Sequence, residues 1–109
     1  MNPSNLGDFV KHASRMRKDM DRVQEDLKNR YVEARAGGDL VEVTANCQQQ
    51  IVKITINPKF FGGAKVDIEM LEDLIVAAVS QAVEKSKDVM KEEIEKVTGG
   101  LSGLIPGLF

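Results

Sequence analysis

The chain holds few of the residues that chemistry usually needs. It has one histidine, His12, and one cysteine, Cys47, in 109 residues. A single thiol excludes an internal disulfide and fits a reducing compartment. One histidine with one cysteine leaves no conventional zinc spacing. Cys47 lies in a CQQQ stretch with no histidine or basic cluster beside it, so nothing there activates a nucleophile. His12, flanked by Lys11 and Ala13, reads as a surface or seam-edge imidazole rather than a general base. The glycine pairs at 37–38 and 62–63 lack the spacing before a lysine that a phosphate loop requires. Glu92, Glu93 and Glu95 read as a solvated helix face. The expectation is a protein that is not an enzyme, with no catalytic residue, metal, cofactor or small-molecule substrate.

Long apolar runs are missing too. The longest, LIVAAV at 74–79, is far short of the ~20 residues of a membrane-spanning helix. The opening MNPSNLGDF shows no basic leader followed by an apolar segment, so a cytoplasmic protein without a membrane partner is expected. Nor is there an excess of positive charge. Fifteen Lys/Arg meet seventeen Asp/Glu for a net charge of −2, which argues against a generic basic nucleic-acid binder. Any anion site must therefore be a local patch.

What is present is periodicity. Leu6, Phe9, Ala13, Met16, Met20, Val23 and Leu27 recur at alternating threes and fours, predicting a heptad-like helix from about 6 to 30, with Asn5 or Asp8 available to cap it. Three segments of period two follow, predicting strands at 31–36, 40–46 and 51–57. Gly37-Gly38 reads as a two-residue hairpin turn and CQQQ (47–50) as a four-residue loop. Those lengths place Val32 opposite Val43, Val43 opposite Ile54, and Glu33 opposite Glu42, with Leu40 on the outer face. The Glu33–Glu42 pairing is unfavourable unless Arg35 or Lys53 relieves it diagonally.

Asn57-Pro58 closes the third strand, KFFGGAK (59–65) reads as a turn, and Asp67 caps a second helix over about 68–97. Gly99-Gly100 stops it and opens a tail over 99–109, whose LSGLIPGLF is apolar but broken by Gly103, Pro106 and Gly107, and so is expected to be flexible. The predicted fold is one α+β domain, 1–109: α-β-β-β-α, with a three-stranded antiparallel sheet and two long helices. One helix cannot cover both faces and both edges of such a sheet, so a homodimer is expected.

The cations gather in KHASRMRKDMDR (11–22). Residues 1–30 hold seven Lys/Arg against five Asp/Glu, whereas the remainder holds eight against twelve. On a helix turning ~100° per residue, Lys11, Arg15, Lys18 and Arg22 fall within a stripe about 60° wide, opposite the apolar seam. A line of cations is what tracking phosphates needs. Against this, Arg15–Asp19, Arg17–Asp21 and Arg22–Asp26 are (i, i+4) pairs that can dilute the patch, and charge runs are often merely solvated faces. Arg17 lies off the stripe and is an additional candidate. Lys87 and Lys91 on the second helix are further candidates, interleaved with Glu84, Asp88, Glu92 and Glu93.

The text GGDLVEVTANCQQQIVKITINP, then EMLEDLIVAAVSQAVEKS, then the closing PGLF, with VKHASRM near the start, resembles the YbaB/EbfC family of nucleoid-associated proteins over nearly the whole chain. The resemblance implies a tweezer-shaped homodimer whose projecting helices bind double-stranded DNA with weak sequence preference. It also implies a nucleoid location and effects on gene expression, recombination or repair. Lys11, Arg15, Lys18 and Arg22 then become the expected DNA contacts, with Arg17, Lys87 and Lys91 as additional ones. The CQQQ loop and Asn57 before Pro58 depart from the family pattern, away from that surface. The alternative reading is a protein-interaction adaptor that uses the long helices and the apolar tail.

Overall fold

The structure, a computed structural model, describes residues 3–61 and 67–99. Its elements run α1 (Pro3–Lys28), β1 (Tyr31–Ala36), β2 (Val41–Asn46), β3 (Ile51–Ile56), a short 3-10 turn (Pro58–Phe61) and α2 (Ile68–Thr98). The α-β-β-β-α order and the antiparallel β1-β2-β3 sheet are those expected from the sequence. The tail after Gly99 lies outside the described residues, as does most of KFFGGAK.

The helix ends follow local chemistry. α1 begins at Pro3, three residues before the predicted start, because proline lacks only an N–H that the first turn leaves unpaired anyway. Asp8 therefore sits inside the helix and cannot cap it. At the other end α1 stops at Lys28, and Asn29 and Arg30 turn the chain, their amides donating to the Asp26 and Leu27 carbonyls (3.1 and 3.4 Å). Asp67 caps α2 as predicted, accepting from the Met70 amide at 3.1 Å. Gly99, at φ 60°, follows the last helical residue, Thr98.

The β1–β2 register differs from the predicted one by two residues. Val32 faces Ala45, Ala34 faces Val43, and Glu33 faces Thr44, so the Glu33–Glu42 clash does not arise. Glu42 instead stands opposite Arg35 and accepts from its Nε at 3.0 Å. The cause is a longer turn. Gly37 and Gly38 both take positive φ (65° and 68°), but Asp39 and Leu40 belong to the turn as well, closed by the Leu40 amide on the Gly37 carbonyl at 3.3 Å. Leu40 consequently leaves the outer face and is buried in the core. Gly37 also meets α2 closely: a Cβ there would stand 2.8 Å from Leu74 Cδ1. Val43 opposite Ile54 is as predicted, and a bulge at Thr44/Ala45 brings Ile51 opposite Ala45.

The core lies between one face of β1 and β2 and the sheet-facing side of α2. Ala34, Val41, Val43 and Ala45 meet Ala78 and Ala82, whose small side chains let the helix sit close to the strands. Leu71, Leu74, Ile75 and Val79 pack around them. β3 is left outside this layer. Every one of its residues is exposed, including Ile51, Val52, Ile54 and Ile56.

Candidate nucleic-acid interface

Among the described residues, α1 is held through its C-terminal half. Its C-terminal turn leaves carbonyls without intrahelical partners, and the CQQQ loop supplies donors for them. The Cys47 amide donates to the Leu27 carbonyl in that turn and to the Arg30 carbonyl just beyond the helix (3.0 and 2.9 Å), and Gln48 Nε2 reaches back to the Gln24 carbonyl at 2.8 Å. The loop is itself pinned to α2, since the Gln49 amide donates to the buried Ser86 hydroxyl at 2.9 Å. Asn46 Oδ1 accepts from the Gln48 and Gln50 amides, both at 3.0 Å, which shapes the turn. Leu27 is sealed beneath these contacts. Arg30 adds a tie to α2 by pairing with Glu93 at 3.2 Å, and Glu93 also pairs with Lys96 at 3.0 Å. The Lys96 hydrogen bond, helped by Arg30, holds the Glu93 carboxyl below its ordinary range. Burial pushes the Cys47 thiol up, against a smaller opposing effect of Arg30, so the thiol stays protonated.

Toward its N-terminus α1 emerges from the protein. Met16, Met20 and Val23 are half-buried, whereas Leu6, Phe9 and Val10 are 52%, 64% and 59% exposed. His12, Arg15, Met16 and Asp19 line a groove with Val97, Thr98 and Gly99, so the two helices run antiparallel and the end of α2 reaches the middle of α1.

All four stripe residues, Lys11, Arg15, Lys18 and Arg22, are exposed, as is Arg17. Among the described residues, none of the three (i, i+4) ion pairs read from the sequence forms. Asp19 turns to Arg22 instead, one residue closer along the helix. Lys11, Arg15, Arg17 and Lys18 enter no ion pair among the described residues. Lys87 and Lys91 are exposed on α2, Lys91 beside a shallow groove of Met90, Ile94, Glu95 and Thr98. Sequence reasoning passed over Arg30, Gln48 and Gln49, which orient α1 rather than contact a ligand. Their signal was the polar CQQQ loop itself, longer in side chain than a plain turn needs.

No described helix is long and apolar enough to cross a membrane, and the described residues contain no cluster of His, Cys, Asp or Glu suited to a metal. The described residues form an α+β fold in which a long amino-terminal helix, carrying exposed cations, packs on the rest of the protein through its C-terminal half. The chain belongs to the YbaB/EbfC DNA-binding family, whose sequence pattern it matches over residues 1–101. It is 50% identical over 105 residues to a nucleoid-associated protein of Acetivibrio thermocellus, covering 96% of this chain and 90% of that one. A nucleoid-associated protein of Pelotomaculum thermopropionicum is 44% identical, with 96% of both chains covered. The fold is also that of a crystal structure of an uncharacterized Helicobacter pylori protein, at a TM-score of 0.71 and 20% identity, over 91% of this chain and 99% of that one. A nucleoid DNA-binding role is the function that family membership and these relatives support.

Proposed function

We propose that the protein is a nucleoid-associated, homodimeric DNA-binding protein that engages double-stranded DNA through phosphate contacts from the exposed face of α1. Base edges contribute little, and the function is to organise the nucleoid, with consequences for expression, recombination or repair. The whole chain serves as one domain in this reading. The observation that carries it is the row of Lys11, Arg15 and Lys18, exposed and outside any described ion pair on a helix whose described contacts lie on its C-terminal half. Arg22, shared with Asp19, contributes less. Three free cations predict a log–log salt slope of roughly −3 per engaged protomer, against nearly −4 if Arg22 counts fully. Arg17, Lys87 and Lys91 lie beyond the stripe and act as secondary contacts.

The second copy joins through β3. This strand offers an unpaired edge together with four exposed branched aliphatics, and leaving both in water is unfavourable and invites strand pairing. Two protomers paired this way present two α1 stripes to one duplex.

Salt-dependent retention of unrelated duplexes tests the proposal. Wild type is expected to bind them with similar affinity, weakening steeply with salt. Arg15→Glu with Lys18→Glu is expected to abolish retention while the circular dichroism spectrum stays unchanged. Binding that survives this double reversal, or ignores salt, overturns the reading.

A further inference from the structure

The N-terminal half of α1 has an apolar face that the described residues leave bare. Leu6, Phe9 and Ala13 continue the same helical face that Met16, Met20, Val23 and Leu27 turn progressively into the protein. Phe9, at 64% exposed, is the largest side chain on it. We propose that the chain's own C-terminal segment, Leu101–Phe109, lies along this face as an apolar strap.

The place where α2 ends makes the case. Gly99 lines a groove with His12, Arg15 and Met16, so the next residue starts at the middle of α1. Because the helices are antiparallel, a chain that leaves α2 and keeps its direction runs toward the N-terminus of α1. From Met16 to Leu6 is about 15 Å along the helix axis. The ten residues 100–109 reach about 33 Å when extended, so the strap spans the face with length to spare.

Composition fits the same occupant. LSGLIPGLF carries no charge and supplies Leu101, Leu104, Ile105, Leu108 and Phe109 to a face built of Leu, Phe and Ala. Pro106 bars a simple continuation of α2, because it lacks the amide that a helix interior needs. Other exposed apolar side chains are worse placed: Ile68, Met70 and Val76 lie toward the opposite end of α2 from Gly99, and so does the approach to β3. The loop adjoining β3 meets α2 at Ser86 and Met90, and Gly99 lies about 13 Å further along the helix, away from the strand.

The strap covers the side of α1 opposite Lys11 and Lys18 and leaves those cations facing outward, while Arg15 flanks the groove where it starts. It also gives the free half of the helix a second support. The inference does not depend on what the cationic side binds.

A spin label on Ser102→Cys in the full-length chain tests it, since Cys47 is buried and does not take the label. In a uniformly nitrogen-15-labelled protein, the amides of residues 6–13 are expected to lose most of their intensity while those of β3 keep theirs. Unbroadened 6–13 amides overturn the proposal, as does broadening centred on residues 51–56. In a mixture of spin-labelled, isotope-silent chains with isotope-labelled, label-free ones, intensities at 6–13 are expected to stay intact. Broadening there assigns the face to the partner's tail and overturns the own-chain strap. Removal of residues 100–109 is expected to speed hydrogen exchange at 6–13 by at least about tenfold, and no acceleration overturns the proposal. Phe9→Ser in the labelled full-length chain is expected to sharpen the nitroxide spectrum, and an unchanged spectrum counts against it.

Discussion

Val43 and Ile54 face each other across the β2–β3 ladder and point to the same side of the sheet, yet Val43 is fully buried and Ile54 is 46% exposed. Both are branched aliphatics in strands of the same alternation. What separates them is the line of α2, which packs its small residues Ala78 and Ala82 over β1 and β2 and leaves β3 exposed. The lesson is that apolar alternation marks a surface that must be covered without saying which molecule covers it. α1 repeats the contrast along its length: Leu27 is sealed by the CQQQ loop, while Phe9 on the same face stands in water among the described residues.

The sharpest way to break that comparison is to put the same charge at both positions. Val43→Asp is expected to unfold the protein, since an unpaired carboxylate in the core costs several kcal/mol of a stability that is about 5–15 kcal/mol for a typical domain. Ile54→Asp is expected to leave the far-ultraviolet spectrum native and to convert a dimer to a monomer in sedimentation. Equal unfolding by both variants would mean that β3 is not an outer surface. Truncation gives a graded version. Val43→Ala is expected to cost about 2–3 kcal/mol in urea unfolding, and Ile54→Ala under about 1 kcal/mol when measured on the monomer.

The glycine turn sharpens the contrast on a smaller scale. Gly37 and Gly38 share a positive φ, which costs an alanine about 1 kcal/mol at either position. Only Gly37 also faces Leu74, so Gly37→Ala is expected to lose more stability than Gly38→Ala, and Gly37→Val more again. Equal losses would place Leu74 away from the turn.

The smallest effect concerns the anchored end of α1. Glu93 is depressed by Lys96 and Arg30, so the ties it makes are fully present above the ordinary glutamate range and are lost as pH falls through the lowered value beneath that range. Amides around Leu27 and Arg30 are expected to exchange slightly faster there in wild type than in proportion to the pH change. Glu93→Gln is expected to flatten that dependence. Arg30 is exposed and Glu93 only half-buried, so the change in global stability should be close to the noise.

Much of this architecture was legible along the chain. The heptad in 6–27, the three alternating runs and the Asp67 cap placed both helices and all three strands to within a few residues. The β1–β2 register was not legible, because Gly37-Gly38 satisfies a two-residue turn and a four-residue turn equally well. The packing of Leu40 beneath the turn and the Arg35–Glu42 pair select the longer one, and both are contacts between residues that only the folded hairpin brings together. The cationic stripe could be seen in the spacing of Lys11, Arg15, Lys18 and Arg22. Which of them would be engaged could not, since Asp19 is within reach of both Arg15 and Arg22 and rotamer choice settles it.

By itself the sequence determined the element order and the sidedness of α1, because these follow from residue identity and from the helix and strand periods of a single chain. Tertiary structure alone decided that α2 shields β2 and not β3, that the CQQQ loop caps α1, and that the end of α2 arrives beside His12 and Met16. Those outcomes depend on where one rigid element runs relative to another, and no local period encodes that.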